Sequence, residues 1–241
     1  VQQAIEDAIR IARSGPAAAG TDLLAHAMAV GCDHSQSLLA TELANLYYGG
    51  IVSSSTTVAT TLYLLGKSDV EIEKVINALR ALGENPTPAA IIGCLELQAA
   101  VLEALRLLPP VSLWTRNVRD GYPVVVGGYW LPAGTTVMIG NRFAHTHPGR
   151  WDDPQDYRPG RWTAERRASD PPGSAYFFPF GRGERACFAQ DVGLAYIHLA
   201  VGSLLLRTRP RVGSGTTMNQ DFWFGCMVPK DLESAFDAIA G

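Results

Sequence analysis

The residue types that can do chemistry are concentrated in one segment, Phe177-Phe-Pro-Phe180-Gly181-Arg-Gly183-Glu-Arg185-Ala-Cys187-Phe-Ala189. Gly181 and Gly183 permit tight turns at φ > 0, which are expected to bring backbone N–H groups around the sulfur of Cys187. An apolar run follows and predicts a helix, so Cys187 stands at the positive end of a helix dipole, with Arg185 two residues away. Both features favour a thiolate, and a thiolate is a good ligand for iron. The same residues equally suit a free cysteine beside a glycine turn, the commoner fate of a lone cysteine.

Other residues carry weaker signals. Glu103 and Arg106 stand at i,i+3 on one helix face and can pair. Their neighbours Val101, Leu102, Leu105 and Leu107 are apolar, so the pair reads as buried. Tyr157-Arg-Pro159-Gly-Arg161-Trp162 and Arg116, four residues before Asp120, add fixed cations. His145 and His147 form an H-x-H, but no third ligand is near in sequence, which argues against a metal site. Cys94 lies among Ile91, Ile92 and Leu95 and reads as core, as does the aromatic triplet Phe222-Trp223-Phe224.

The elements that must position these groups are mostly helical. Gln3 to Ala12 and Leu23 to Val30 are short amphipathic segments around a break at residues 15–20. Leu38 to Leu65 runs without proline, far beyond a mean helix of about 11–12 residues. Its middle, YYGGIVSSSTT, predicts a kink or break, because glycine and serine pairs weaken helices, and small residues there suggest that something bulky lies against that face. Ser68-Asp-Val-Glu71 is a capping box. Thr87-Pro88 opens another helix, expected to continue to Leu108 and stop at Pro109-Pro110. Valine runs split by Gly-Gly and Pro-Ala-Gly between Tyr122 and Ile139 predict antiparallel hairpins. Asn141 to Gly183 shows little periodicity, and so long an irregular stretch is usually functional. A last helix is expected from Phe188 to about Arg207, then turn-rich strands. The fold class is mainly α with small β portions (α+β), as a single domain over residues 1–241.

Composition excludes several classes. The chain has 241 residues, 47% apolar and 18% charged, which is globular. A net charge of −3 carries no basic excess for nucleic acid. The longest apolar stretch, Ile197 to Leu206, contains His198 and is about half of the ~20 residues a membrane span needs. Four scattered cysteines without a CxxC pair predict reduced thiols in the cytoplasm.

FGRGERACFA resembles the haem-binding loop of the cytochrome P450 family, Phe then Gly-x-Gly-x-Arg-x-Cys-x-Gly/Ala. Phe180, Gly181, Gly183, Arg185, Cys187 and Ala189 fall on matching positions. Glu103, Arg106 and Arg161 resemble the family's Glu–Arg–Arg network, which braces the cysteine loop. The resemblance implies haem b held by the Cys187 thiolate, with Arg116 and Arg185 on its propionates and His145 either near them or bonded locally. Gly49-Gly50-Ile51-Val52-Ser53-Ser54 aligns with the distal helix over the haem, placing Gly50 and Ser53 at catalytic positions. Val52 stands where the family has an acid that relays protons, a role valine cannot fill.

The family's N-terminal part has no counterpart in this chain, which also does not begin with Met; a piece of a longer chain is expected. The implied activity is monooxygenation, hydroxylation or epoxidation, of a small organic substrate in secondary metabolism. Electrons would come from an external ferredoxin or flavoprotein, or peroxide would replace them, with no nucleic-acid or membrane partner. Two alternatives are a peroxide-driven or redox-neutral haem-thiolate enzyme, because of Val52, and a non-catalytic half that assembles with a partner.

Overall fold

The computed structural model describes residues 1–14, 23–29, 35–122, 124–213, 216–223, 226–230 and 235–238. The break expected at residues 15–20, together with Cys32 and Phe224, lies outside them. The described chain falls into two compact units, Val1–Val52 and Ser53–Gly241.

In the first unit, α1 (Gln2–Ser14), α2 (Leu23–Ala29) and the start of α3 (Gln36–Gly66) place Ile9, Leu39 and Ala40 in a small core with Ile5, Leu24, Ala27 and Leu43. The helix α3 runs for 31 residues without the expected break, through Gly49-Gly50 and the serine run. Two glycines cost about 2 kcal/mol of helix propensity, and tertiary burial along so long a helix outweighs that. Thr57, Thr60 and Thr61 in its second half turn their hydroxyls back onto their own helix. Thr57 Oγ1 donates to the Ser53 carbonyl at 2.9 Å, and Thr61 Oγ1 to the Thr57 carbonyl at 2.7 Å. That return bonding lets these side chains be buried without outside partners.

Among the described residues the second unit is built on the end of α3 and four further helices. Ser68 caps α4 (Asp69–Arg80), its hydroxyl accepting from Glu71 N at 3.3 Å. Thr87 caps α5 (Pro88–Gly93). The single helix expected from Thr87 to Leu108 is two: Cys94 takes an extended ψ of 113°, and α6 (Leu95–Leu107) starts afresh. The Gln98 amide donates to the Ile92 carbonyl at 2.8 Å, so the break leaves that helix-end carbonyl satisfied. The fourth helix is α9 (Gln190–Leu205).

Leu65, Ile72, Leu79, Ile91, Leu97, Val101, Leu105, Ile197, Val201 and Leu205 form one apolar core from these helices and the end of α3. Gly202 allows the closest approach: a Cβ there would stand 2.5 Å from Ile91 Cγ2. Among the described residues there are four two-stranded antiparallel sheets. β1 (Leu113–Asn117) pairs with β4 (Thr136–Gly140), and between them β2 (Val124–Val126) and β3 (Tyr129–Leu131) form the expected hairpin. Near the C-terminus β5 (Thr208–Arg211) pairs with β8 (Ala235–Ala238), and β6 (Asn219–Trp223) with β7 (Cys226–Lys230). The stretch 141–183 is not wholly irregular. It holds α7 (Asn141–His145), a 3-10 turn at Pro159–Arg161 and α8 (Ala164–Ser169), each too short to print a periodic pattern.

Candidate functional site

The cysteine loop is a chain of tight turns. Gly181 and Gly183 have φ of 75° and 71°, as their positions in the sequence lead one to expect. Gly181 N donates to the Phe178 carbonyl at 3.0 Å, Ala186 N to that of Gly183 at 2.9 Å, and Cys187 N to that of Phe180 at 2.8 Å. The loop N–H groups therefore close the turns on carbonyls; among the described residues none is donated to the Cys187 sulfur, contrary to the sequence expectation. Cys187 is exposed and lies three residues before α9, whose N-cap is Ala189. Phe180 is half-buried and packs against the main core. Phe188 (87% exposed) and Val192 (73%), one and five residues after Cys187, are exposed apolar side chains. Arg182 and Arg185 are exposed and have no ion-pair partner among the described residues.

Behind the loop lies a fully buried carboxylate. Glu103 Oε1 accepts from Arg106 Nη2 at 2.8 Å, Arg161 Nε at 2.8 Å and Arg158 N at 3.0 Å. Its Oε2 accepts from Arg106 Nε and from Trp162 Nε1, both at 2.9 Å. Arg106 spends its remaining N–H groups on the carbonyls of His145, Pro154 and Asp156. Its guanidinium stacks over the Trp151 ring at 5.2 Å, and Trp162 meets Phe177 at 4.6 Å between centroids. Such a pair is not a net gain over apolar packing, but losing one partner strands a buried charge. The network expected from Glu103, Arg106 and Arg161 is assembled as one cluster.

His145 joins that cluster to the loop. Its carbonyl accepts from Arg106 Nη1 at 3.0 Å, and its Nε2 accepts from Phe178 N at 2.9 Å. Phe178 in turn accepts from Gly181 N, so three hydrogen bonds run from the buried arginine to the first glycine of the loop. The ring is fully buried between Phe177 and Phe178. Burial pushes its pKa down to about 4, despite backbone hydrogen bonds that favour the charged form. The ring is neutral at pH 7, as an acceptor Nε2 requires.

Two other expected groups are placed by their strand and helix. Arg116 is exposed on β1, its Nη1 donating to the Thr115 carbonyl at 2.7 Å. Trp114, two residues earlier, shares its face of the strand. The Trp114 ring lies against Gly181, where a Cβ would stand 3.1 Å from Cη2, and its buried Nε1 has no partner among the described residues. Arg116 therefore sits on the strand face that meets the cysteine loop. Trp114 was not singled out in the sequence; its spacing from Arg116 on a strand was the available signal. Gly50 and Ser53 both lie on α3, in the first and second unit respectively, and Val52 is buried. His147 Nδ1 accepts from Gly149 N at 3.1 Å. Among the described residues no three His, Cys, Asp or Glu are grouped to hold a bare metal ion, and no helix is long and apolar enough to cross a membrane.

The cytochrome P450 family model matches residues 14–232, most of the sequence. The chain belongs to the cytochrome P450 family. This P450 chain is 34% identical over 145 residues to flavonoid-6-hydroxylase of Ocimum basilicum, covering 59% of the chain and 26% of that protein. It is 31% identical over 172 residues to ent-cassadiene hydroxylase of Oryza sativa subsp. japonica, covering 70% and 30%. Cyclooctatin synthase of Streptomyces melanosporofaciens is 29% identical over 182 residues, covering 73% and 38%. The crystal structure of the cytochrome P450DA heme domain superposes with a TM-score of 0.84 at 22% identity, covering 99% of this chain and 54% of that one. The fold is thus that of the C-terminal part of a P450, helices with small sheets. The P450 chain spans about a third of the length of the curated relatives it matches.

Proposed function

We propose that this chain is the haem-binding portion of a haem-thiolate monooxygenase that hydroxylates or epoxidises a small organic molecule of secondary metabolism. The observation that carries the reading is an exposed Cys187 thiol on a glycine-turned loop, braced from behind by the Glu103 carboxylate through Arg106 and His145. The residues present fit a haem. A flat apolar macrocycle would cover Phe188, Val192 and the loop, with iron ligated by Cys187. Arg185 has no ion-pair partner among the described residues and Arg116 stands on the strand face that carries Trp114, both suited to propionates. Trp114 Nε1 is a buried donor in want of an acceptor on that same side. Gly181 and Gly183 keep the loop flat, Phe180 anchors it in the core, and Ala189 caps the following helix without a bulky side chain.

Thiolate-ligated haem supplies the oxygen chemistry when bound, with electron density from sulfur favouring O–O cleavage. On α3, Gly50 offers backbone without a side chain and Ser53 a hydroxyl, the groups proposed to serve the distal side. Val52 holds no proton, and this supports a second reading in which peroxide drives the reaction or the turnover is redox-neutral. In the first reading a ferredoxin or flavoprotein supplies electrons. The names of the relatives, hydroxylases of a flavonoid and of ent-cassadiene among them, support a small organic substrate and hydroxylation. The single domain of residues 1–241 and its cytoplasmic location belong to the same proposal, as does a requirement for the N-terminal portion that the relatives possess. The chain would be reconstituted with haem, with and without such a portion, and given a terpene or flavonoid panel. Turnover that needs NADPH and donor proteins supports the first reading. Turnover with peroxide alone supports the second, and haem without turnover under either condition leaves a binding half.

A further inference from the structure

A cleft of about 450 Å³ opens between the start of α4, the start of α6 and the segment from Pro159 to Arg167. Its apolar walls are the buried Val75, Ala99, Pro159 and Trp162, together with the exposed Leu95. Four charged residues also line it, and two of them satisfy each other: Lys74 Nζ donates to Glu71 Oε1 at 2.7 Å. The other two do not. Arg167 is half-buried, and its Nε, Nη1 and Nη2 donate to the Trp162 carbonyl, Gln98 Oε1 and the Leu95 carbonyl at 3.0, 2.7 and 2.8 Å. These acceptors are all neutral, and they use three of the five N–H groups of a guanidinium. Arg167 thus has no ion pair among the described residues and keeps two N–H groups unspent. Glu96 is exposed in the first turn of α6; its Oε2 accepts from the Cys94 thiol at 3.8 Å, and its Oε1 has no partner among the described residues. The Leu95 carbonyl, next in the chain to Glu96, fixes the guanidinium beside that turn. Partial burial lowers the Arg167 pKa and the Glu96 charge raises it, so the two charges act on each other without forming an ion pair.

The charges of the cleft select its occupant. A simple anion on Arg167 would lie in the repulsive field of Glu96, and a simple cation on Glu96 in that of Arg167. A neutral molecule would leave both charges as they stand. A molecule that carries both signs close together answers both. The head group of an α-amino acid has this form: a carboxylate suited to the guanidinium fork, and an ammonium suited to the Glu96 carboxylate. Val75, Ala99 and the Trp162 ring then offer an apolar wall to its side chain. The volume falls in the range of roughly 300–1,000 Å³ found for small-molecule sites.

We propose that this cleft binds a free α-amino acid with an apolar side chain, its carboxylate on Arg167, its ammonium on Glu96 and its side chain against Val75, Ala99 and Trp162. The site is separate from the cysteine loop and does not rest on the proposed activity.

L-Phenylalanine is the probe, and the readout is the ¹H–¹⁵N resonance of Arg167 Nε in the purified chain, assigned by its absence in Arg167→Lys. Phenylalanine is expected to shift that resonance and to saturate at low salt with a dissociation constant of ~1 mM, a scale suited to so small a ligand. Glycine lacks the apolar side chain, phenylalanine amide the carboxylate and N-acetylphenylalanine the ammonium; each should bind about fivefold more weakly or worse. Glu96→Gln, a change at an exposed side chain, should weaken phenylalanine about fivefold, the worth of one exposed ion pair, and should not weaken N-acetylphenylalanine. The proposal is overturned if phenylalanine, up to its solubility, leaves the Arg167 resonance of the unmodified protein unmoved. It is equally overturned if the amide or the N-acetyl compound binds as tightly as phenylalanine, or if folded Glu96→Gln binds phenylalanine unchanged.

Discussion

Replacing Glu103 by glutamine tests the energetic role of the buried cluster. The carboxylate accepts five hydrogen bonds, three on Oε1 and two on Oε2, with both Glu103 and Arg106 fully buried. Glutamine keeps the shape but changes the chemistry in two ways. Its amide nitrogen must face either the Arg106 Nε and Trp162 Nε1 donors or the three donors now on Oε1, and either choice sets N–H against N–H. Its neutrality also leaves Arg106 a buried charge without a counter-ion. Breaking a buried pair in this manner costs about 3–5 kcal/mol, a large fraction of the 5–15 kcal/mol that holds a typical domain folded. For a chain of this size, each kcal/mol moves Tm by about 2–4 °C. Glu103→Gln is therefore expected to lower Tm by about 6–20 °C in calorimetry, with a matching fall in the urea midpoint. Glu103→Leu combined with Arg106→Leu should lose less than the sum of its single changes, because the second removes the charge the first had stranded. A Tm drop of less than ~2 °C for Glu103→Gln, or strict additivity of the pair, would refute the reasoning.

Three further outcomes follow from the same geometry. His145 and His198 both have folded pKa values of about 4, against the ordinary 6.5. The unfolded chain takes protons first, so stability is full above pH ~6.5 and falls as pH drops toward 4, by roughly 3 kcal/mol for each ring; urea titrations between pH 7 and 4.5 should show this slope, and His198→Phe should remove part of it. His145→Phe leaves Phe178 N–H without its acceptor and should cost about 1–3 kcal/mol, read as a lowered urea midpoint; His145→Gln, which restores an acceptor, should recover part of the loss. Gly181→Ala forces a side chain into φ of 75° against Trp114 and should cost about 1–2 kcal/mol for the backbone alone, a cost that Trp114→Leu relieves only in its steric part.

Much of this was legible because it is local. A serine three residues before a glutamate, a threonine before a proline and a Gly-Gly between valine runs each announce their cap or turn through neighbours in sequence. The cysteine loop and the Glu103, Arg106 and Arg161 cluster were legible through family spacing, which records a tertiary arrangement that a single helix pair would not reveal. What failed was local weakness read without its tertiary setting. Gly49-Gly50 does not interrupt α3: the residues beside it are largely exposed, and the helix is held by the buried run further on, from Val52 to Leu65. Conversely, Gly93-Cys94 does break a helix that its apolar pattern ran straight through; Gly93 was the available sign. The contacts of His145 with Phe178, of Trp114 with Gly181 and of Arg167 with Gln98 join residues far apart in sequence, and periodicity does not encode them.

The central claim is that Cys187, presented on this loop, ligates haem iron as a thiolate. Its most direct test is the reduced, carbon monoxide difference spectrum of the purified chain supplied with haem. A Soret maximum at the position typical of thiolate ligation, lost in Cys187→Ala and retained in Cys94→Ala, is the predicted result. A haem complex whose carbon monoxide spectrum is the same with and without Cys187 would contradict it.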